Sequence, residues 1–441
     1  MHDITLTYFL LFCLGAICSV PFLVRIKKRQ NDNFEIIYWV TAYFLLIFVF
    51  RSVYLLRYGS LFLGQPPFSE EIISSWNISL IYLFISFSIF LIGYYSKIGI
   101  AIANVMPSLS GRWSSFKAKI FIVFSIVVSI ISYLVLLQYL GGFSYYFSHK
   151  GESLTIPGTG YFNFGIWFLN YALVVGLIFF LKYKKFKKIT FLLLFPLTLI
   201  IGFLRGSKLV FLAPILMVVV VYHYFKKNIK MKYIVIFLLL TVLLVPVLDI
   251  NRGTANLSDF FSRTLNTYNP LKSIRVFMDR FHDMDSLIYI IKDTPRVMDY
   301  QLGKTIMPIF VSWIPRRFWP EKPVISFGRV FGESYYGEFW TSKSGAASAT
   351  IIGEAYINFH IAGILLVSLL FGIMIRFFYQ YLIKNNFGEG GLFIYASIFY
   401  QLFMFWESDF GTAITGLMFS LFLTFSISLL LSKENYYGHR N

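Results

Sequence analysis

The sequence predicts an all-α polytopic integral membrane protein of about eleven transmembrane helices with one large extracytoplasmic loop. Three observations predict it. Only 14% of the 441 residues are charged and 57% are hydrophobic, against roughly a quarter charged in a soluble chain. Apolar runs of about 20 residues, the length that crosses a bilayer as helix, recur along the chain. One hydrophilic insert, residues 251–350, interrupts them and carries 13 of the 39 Lys and Arg.

The candidate spans are 5–24, 35–56, 74–95, 119–139, 161–181, 190–204, 208–225, 233–250, 357–380, 391–406 and 411–431. This gives eight spans in 1–250, the loop in 251–350 and three spans in 351–441. The first run follows His2 and Asp3 without a basic segment, so it reads as a retained helix and not as a cleaved leader. Cys13 and Cys18 lie inside it, which argues for neither a disulfide scaffold nor a metal site. Arg205-Gly206-Ser207-Lys208 divides the sixth span from the seventh, and two charges with a glycine favour a hairpin between two short helices.

Basic residues set the orientation. Arg25 to Arg29, Lys97 to Lys119, Lys182 to Lys188, Lys226 to Lys232, and then Arg376, Lys384, Lys433 and Arg440 alternate with segments holding little beyond Arg57, Lys150, Arg205 and Lys208. The pattern predicts an N-terminus outside, a C-terminus inside and the insert outside. Arg51 is the main charge within a span. A net charge of +18 on a chain without a soluble basic domain points to topology and anionic lipid, and away from nucleic acid.

Within the insert, Ile274, Phe277, Phe281, Met284, Ile288 and Ile291 recur at helical spacing, so 272–293 reads as an amphipathic helix lying on the membrane surface. Gly303 to Ile314 is apolar but too short to span, hence re-entrant or interfacial. Three prolines make 315–323 extended. The Gly-, Ser- and Tyr-rich 326–349 reads as loop.

Two kinds of residue carry candidate chemistry. Arg205 with Lys208, Arg252, Arg280 and the Arg316-Arg317 pair are cations at the outer boundary, suited to gripping a phosphate or, alternatively, to anchoring in headgroups. Glu354, Glu407, Asp409, His282 and Asp283 are candidate general bases. Asp283-Met284-Asp285 has the look of a metal-diphosphate pair, but positions i and i+2 on a helix do not share a face, and a solvated face is the plainer reading. Trp313, Trp319, Tyr335, Tyr336 and Trp340 offer aromatic surface for sugars or for the interface belt. Neither a nucleotide loop nor a serine-nucleophile motif is present.

The runs Gly202-Phe203-Leu204-Arg205-Gly206-Ser207-Lys208, Arg280-Phe281-His282-Asp283-Met284-Asp285, Pro315-Arg316-Arg317-Phe318-Trp319-Pro320-Glu321-Lys322-Pro323 and Ile352-Gly353-Glu354-Ala355-Tyr356-Ile357-Asn358-Phe359 resemble the Wzy family of O-antigen and oligosaccharide repeat-unit polymerases. The resemblance covers the C-terminal half; the first 180 residues match only as a series of spans. It implies a lipid-glycan transferase-like fold in the bacterial inner membrane, working on its periplasmic side. Such an enzyme moves a growing glycan from undecaprenyl diphosphate onto the non-reducing end of a new lipid-linked unit in lipopolysaccharide or related polysaccharide synthesis. It implies no metal and no cofactor, and as partners membrane lipid, a chain-length regulator and a flippase. On this resemblance Glu354, His282, Asp283 and Asp409 are the catalytic candidates. Arg205, Lys208, Arg252, Arg280, Arg316, Arg317, Trp319, Lys322 and Tyr356 are the diphosphate- and glycan-binding candidates. An O-antigen ligase and a polysaccharide flippase or transporter are the alternatives.

Overall fold

The computed structural model describes residues 2–29, 32–59, 61, 68–109, 112–142, 159–184, 188–204, 208–250, 277–314, 318–337 and 347–433, with scattered positions between 262 and 275. The helices are α1 (His2–Lys27), α2 (Ile36–Tyr58), α3 (Glu70–Tyr95), α4 (Ile98–Val105), α5 (Ser115–Tyr139), α6 (Thr159–Tyr183) and α7 (Lys188–Leu204). They continue as α8 (Lys208–Phe225), α9 (Met231–Ile250), α10 (Asp283–Asp293), α11 (Phe327–Tyr336), α12 (Ile351–Tyr379), α13 (Glu389–Phe403) and α14 (Phe410–Leu431). Among the described residues the only β pairing is an isolated bridge between Trp113 and Ser432.

Seven of these helices are long and apolar enough to cross a membrane: α1, α2, α3, α5, α6, α14 and α12 with its continuation to Asn385. The chain is a multi-pass helical membrane protein. Parts of α7, α8 and α9 are apolar but shorter.

Two compact units form. One comprises Met1–Pro107, Met278–Asn385 and Gln401–Leu421; the other comprises Ser108–Phe277, Asn386–Tyr400 and Phe422–Asn441. The first is built on α3 against α12. A Cβ on Gly372 would fall 2.1 Å from the Phe90 carbonyl oxygen, and one on Gly93 would fall 2.4 Å from that of Leu369. The two backbones therefore touch, as helices packed through small residues in a membrane do. Ser86 and Ser368 hydrogen-bond across the same crossing at 2.7 Å. Trp406 fits edge-on among Phe44, Phe90 and Phe371, with ring centroids 5.2, 5.3 and 4.8 Å away.

Two irregularities in this unit position side chains. α2 winds as a π-helix over Leu45–Phe50, immediately before Arg51. α12 is broken at Phe359 (φ −138°, ψ 25°) and His360 (φ 53°, ψ −144°). The break frees carbonyls that lack a helical partner. The Gln301 N–H donates to the Ile357 carbonyl at 2.9 Å, and the Leu302 N–H to that of Asn358 at 3.2 Å. Asn358 completes the repair by accepting from the Gly303 N–H at 2.8 Å. Irregular backbone persists in apolar surroundings only when its polar groups are paired in this way.

In the second unit α5 crosses α6. The Ser129 hydroxyl donates to the Gly165 carbonyl at 3.0 Å, and Gly165 has no room for a Cβ beside Ser132. The Glu389 carboxylate, buried, meets the Lys182 ammonium at 2.9 Å and the Tyr183 hydroxyl.

The structure departs from the sequence expectations within the insert. Periodicity over 272–293 predicts one surface helix, but the chain turns at 279–282 and α10 begins at Asp283. His282 (φ −89°, ψ 9°) is not helical. α10 is a core element: Asp283 through Ile291 are all buried, so the acidic side of the pattern is not solvated. The reason lies elsewhere in the chain, because Arg51 and Ser348 supply partners that local spacing does not reveal. Composition over 326–349 predicts loop, yet α11 forms there. Asp409 accepts from the Ser326 hydroxyl and the Gly328 N–H to cap it, while Tyr335 and Tyr336 bond Thr294 and Ser286 at 2.8 and 2.7 Å. The ninth span starts at Ile351, six residues before the expected 357, because Thr350 caps it by accepting from the Gly353 N–H. The apolar stretch after Gly303 forms a short 3-10 turn, Met307–Val311, with Met307, Phe310 and Trp313 65%, 71% and 78% exposed.

Candidate functional site

Most of the described candidate residues gather at one end of the first unit, where α2 ends and α10, α12 and α14 begin. Arg51 of α2 is bound to α10 there. Its Nε and Nη2 donate to the two carboxylate oxygens of Asp285 at 2.9 and 2.7 Å, a bidentate pair with both side chains at most 2% exposed. Nη1 donates to the Met278 carbonyl at 3.2 Å and lies 3.5 Å from Asp279, which also accepts from the Tyr54 hydroxyl. A buried arginine needs such a partner, because stripping an isolated charge of water costs several kcal/mol. Asp285 and its neighbour Asp283 do point to different faces, as their spacing requires.

Asp283 faces a second acid. The Ser348 hydroxyl lies 2.7 Å from Asp283 Oδ1 and 2.5 Å from the Glu407 backbone carbonyl, and the Tyr43 hydroxyl donates to the Glu407 carboxylate. Burial pushes the Asp283 carboxyl well above the ordinary carboxylate range, and the negative charge of Glu407 pushes it further. Glu407 is raised by burial too, opposed by the hydrogen bond from Tyr43. His282, half-buried before α10, is held down to about 3 by burial and by the charges of Arg51 and Arg280, so its imidazole is neutral. Arg280 itself is exposed.

Glu354 and Asp409 hold the framework around these groups. Glu354 is fully buried; its carboxylate accepts from the Thr305 hydroxyl at 2.5 Å and from the Phe410 N–H at 2.7 Å. Asn358, one turn on, donates to Thr305 at 2.8 Å and to the Glu354 carbonyl at 2.9 Å. Asp409 caps two helices at once, accepting from the Thr412 N–H of α14 at 2.7 Å and from Ser326 and Gly328 of α11 at 2.9 and 3.2 Å. α14 can come this close because Gly411 has no side chain: a Cβ there would fall 1.9 Å from the Ile325 carbonyl oxygen.

The remaining described candidates are dispersed. Lys322 is buried, its ammonium donating to the Ser312 and Ile314 carbonyls at 3.0 and 2.8 Å. Trp319 is 38% exposed and Phe318 80%. Tyr356 lies in an aromatic cluster beside the α12 break, 4.7 Å from His360, 5.7 Å from Tyr82 and 6.1 Å from Tyr300. Arg205, Arg252, Arg316, Arg317 and Trp340, with the side chain of Lys208, lie outside the described residues. Among the described residues no group of three or more His, Cys, Asp or Glu is arranged to hold a metal ion.

Tyr43, Ser348 and Thr305 carry no motif, and spacing gives no hint of them; Asn358 lies in the run around Glu354 but nothing in the sequence marks its role. Asp285 had a signal: an arginine within a span requires a carboxylate, and only a few acids lie at the matching depth.

The fold and this cluster together define a class, multi-pass helical membrane proteins with a buried acidic network at one end of the bundle. Residues 134–437 match a family described only as a domain of unknown function (DUF8712), and the chain belongs to that family. Neither a curated protein nor a solved structure matches it.

Proposed function

We propose that the protein is a lipid-linked repeat-unit polymerase of the Wzy kind, a glycosyltransferase of the bacterial inner membrane with its site on the periplasmic side. The observation that supports this most is the gathering of Asp283, Glu407, Glu354 and Asp409 at the end of the first unit where the described part of the insert, with exposed Arg280, also packs. In this reading α7, α8, α9 and α13 also cross the membrane and bring the seven long spans to eleven.

The reaction joins an acceptor hydroxyl oxygen of the new unit to the anomeric carbon of the growing glycan. The bond from that carbon to the diphosphate oxygen breaks, and undecaprenyl diphosphate leaves. The hydroxyl proton passes to a carboxylate; Glu407, half-buried and with a raised proton affinity, is better suited than His282, whose low basicity makes it a poor acceptor. Negative charge collects on the departing diphosphate, which Arg205, Lys208, Arg252, Arg280, Arg316 and Arg317 are placed by sequence to meet. Glu354 and Asp409 act by holding α12, α14 and α11 in place. Trp319, 38% exposed, supplies surface for a sugar ring, while Tyr356 is buried and supports the aromatic cluster beside the α12 break.

A transporter reading draws on two observations, the broken α12 and the buried Arg51–Asp285 pair, both familiar in membrane carriers. Deleting the gene separates them. A polymerase deletion leaves surface lipid capped with one repeat unit, a ligase deletion leaves none, and a flippase deletion strands units inside. Long chains persisting in the deletion strain overturn the polymerase reading.

A further inference from the structure

Ser348 has one hydroxyl hydrogen and two close oxygen neighbours, Asp283 Oδ1 at 2.7 Å and the Glu407 carbonyl at 2.5 Å. The carbonyl can only accept. If Ser348 donates to it, the contact with Asp283 needs a hydrogen from the other side, and Asp283 supplies one only as a neutral acid. If Ser348 donates to Asp283 instead, two oxygens face each other at 2.5 Å with no hydrogen between them. The first arrangement satisfies every atom. On the other side the Tyr43 hydroxyl donates to the Glu407 carboxyl, so Glu407 needs no proton of its own to make that contact.

We propose that Asp283, Ser348 and Glu407 form a buried proton-binding site, in which one proton held on Asp283 latches the 347–350 strap to α10 and to the turn before α14. The latch does not depend on the reaction proposed above. The strap is otherwise held by the Ala347 N–H on the Gly328 carbonyl at 3.0 Å and by Thr350 at the start of α12. It thus connects α11, α10, the Glu407 turn and α12. The titratable and charged groups around Asp283 are Glu407 from the turn, Tyr43 from α2, Tyr336 from α11, and Asp285 on α10 itself, with the Arg51 charge committed to Asp285. Loss of the proton sets a second negative charge beside Glu407 and makes Ser348 choose between two acceptors. The strap then loses one of its holds.

The sign follows from linkage. Asp283 binds its proton more tightly folded than unfolded. Stability from this site is present at low pH and is lost as pH rises through the folded-state value.

Infrared spectroscopy of the purified protein in detergent tests the assignment. The expected result is a protonated-carboxyl C=O band in the wild type that disappears on alkaline titration and is diminished by one carboxyl in Asp283→Asn. That variant keeps the latch, because the new amide donates to Ser348 as the neutral acid does, so its thermal midpoint should be flat over the alkaline range where the wild type falls. Should Asp283→Asn fail to fold, Glu407→Gln decides: removing the neighbouring charge should move the band's titration down by about one pH unit or more, a tenfold change in acidity. A band unchanged in Asp283→Asn, one lost only in Glu407→Gln, or a titration unmoved by Glu407→Gln overturns the proposal.

Discussion

Removing the guanidinium of Arg51 should be among the most damaging single changes in the first unit. Arg51→Met leaves the Asp285 carboxylate, 0% exposed, without the two hydrogen bonds of 2.7 and 2.9 Å that neutralise it. Breaking a buried pair from one side costs about 3–5 kcal/mol, roughly a hundred- to several-thousand-fold in the folding equilibrium. Replacing both partners, Arg51→Met with Asp285→Leu, removes the stranded charge and restores apolar volume. The double variant still loses the donor to the Met278 carbonyl, about 1 kcal/mol, so it should recover to within ~2 kcal/mol of wild type. Equilibrium unfolding by sodium dodecyl sulfate in mixed micelles, followed by tryptophan fluorescence, reads both values and their coupling. A double variant as unstable as Arg51→Met, or a single variant within ~1 kcal/mol of wild type, would refute the view that this pair is a buried, mutually dependent unit.

Further outcomes can be measured in the same micelles. Asp409→Ala should cost about 2 kcal/mol, one N-cap on each of α11 and α14, with Asp409→Asn retaining much of it; equal losses in the two would count against the double cap. Gly372→Val should prevent α3 and α12 from meeting and lower the yield of folded protein, while Gly416→Ala, with nothing within 4 Å of its added Cβ, should be silent. His282 is depressed to about 3, so it disfavours the protonated form on folding, and the stability it contributes falls as pH drops below its ordinary value of about 6.5. His282→Gln should therefore flatten part of the acid-side decline in thermal midpoint between about pH 7 and pH 5, and leave the alkaline side as it was.

Membrane character and most helix positions could be read from hydropathy alone, because a span must be apolar along its whole length wherever it sits. Residues that take their structure from distant partners could not. Asp283 and Asp285 stand in a pattern that, taken locally, describes a wet helix face; they are buried because Arg51 lies 234 positions from Asp285 and Ser348 lies 65 from Asp283. The Gly- and Ser-rich stretch holding α11 looks like a loop until Asp409, 81 positions from Gly328, supplies its cap. Of the candidate site, the acids were legible as residue types that are rare in apolar sequence. The hydroxyls that hydrogen-bond Asp283 and Glu407, those of Ser348 and Tyr43, belong to common residues without any signature. Glu354 and Asp409 were legible as unusual, but their roles as hydrogen-bond hubs follow only from the loops and helix ends that surround them.

The repaired break in α12 also constrains the order in which the chain can be built. Carbonyls of Ile357 and Asn358 that entered the bilayer alone would be exposed to hydrocarbon, since the helix that should satisfy them stops at Phe359 and His360. Their partners, the N–H groups of Gln301 and Leu302, precede them in sequence and so leave the ribosome first. Synthesis from the N-terminus therefore presents the mending segment before the gap it mends. A circular permutant that opens the chain between 303 and 351 would reverse that sequence of events and insert α12 with its gap unfilled.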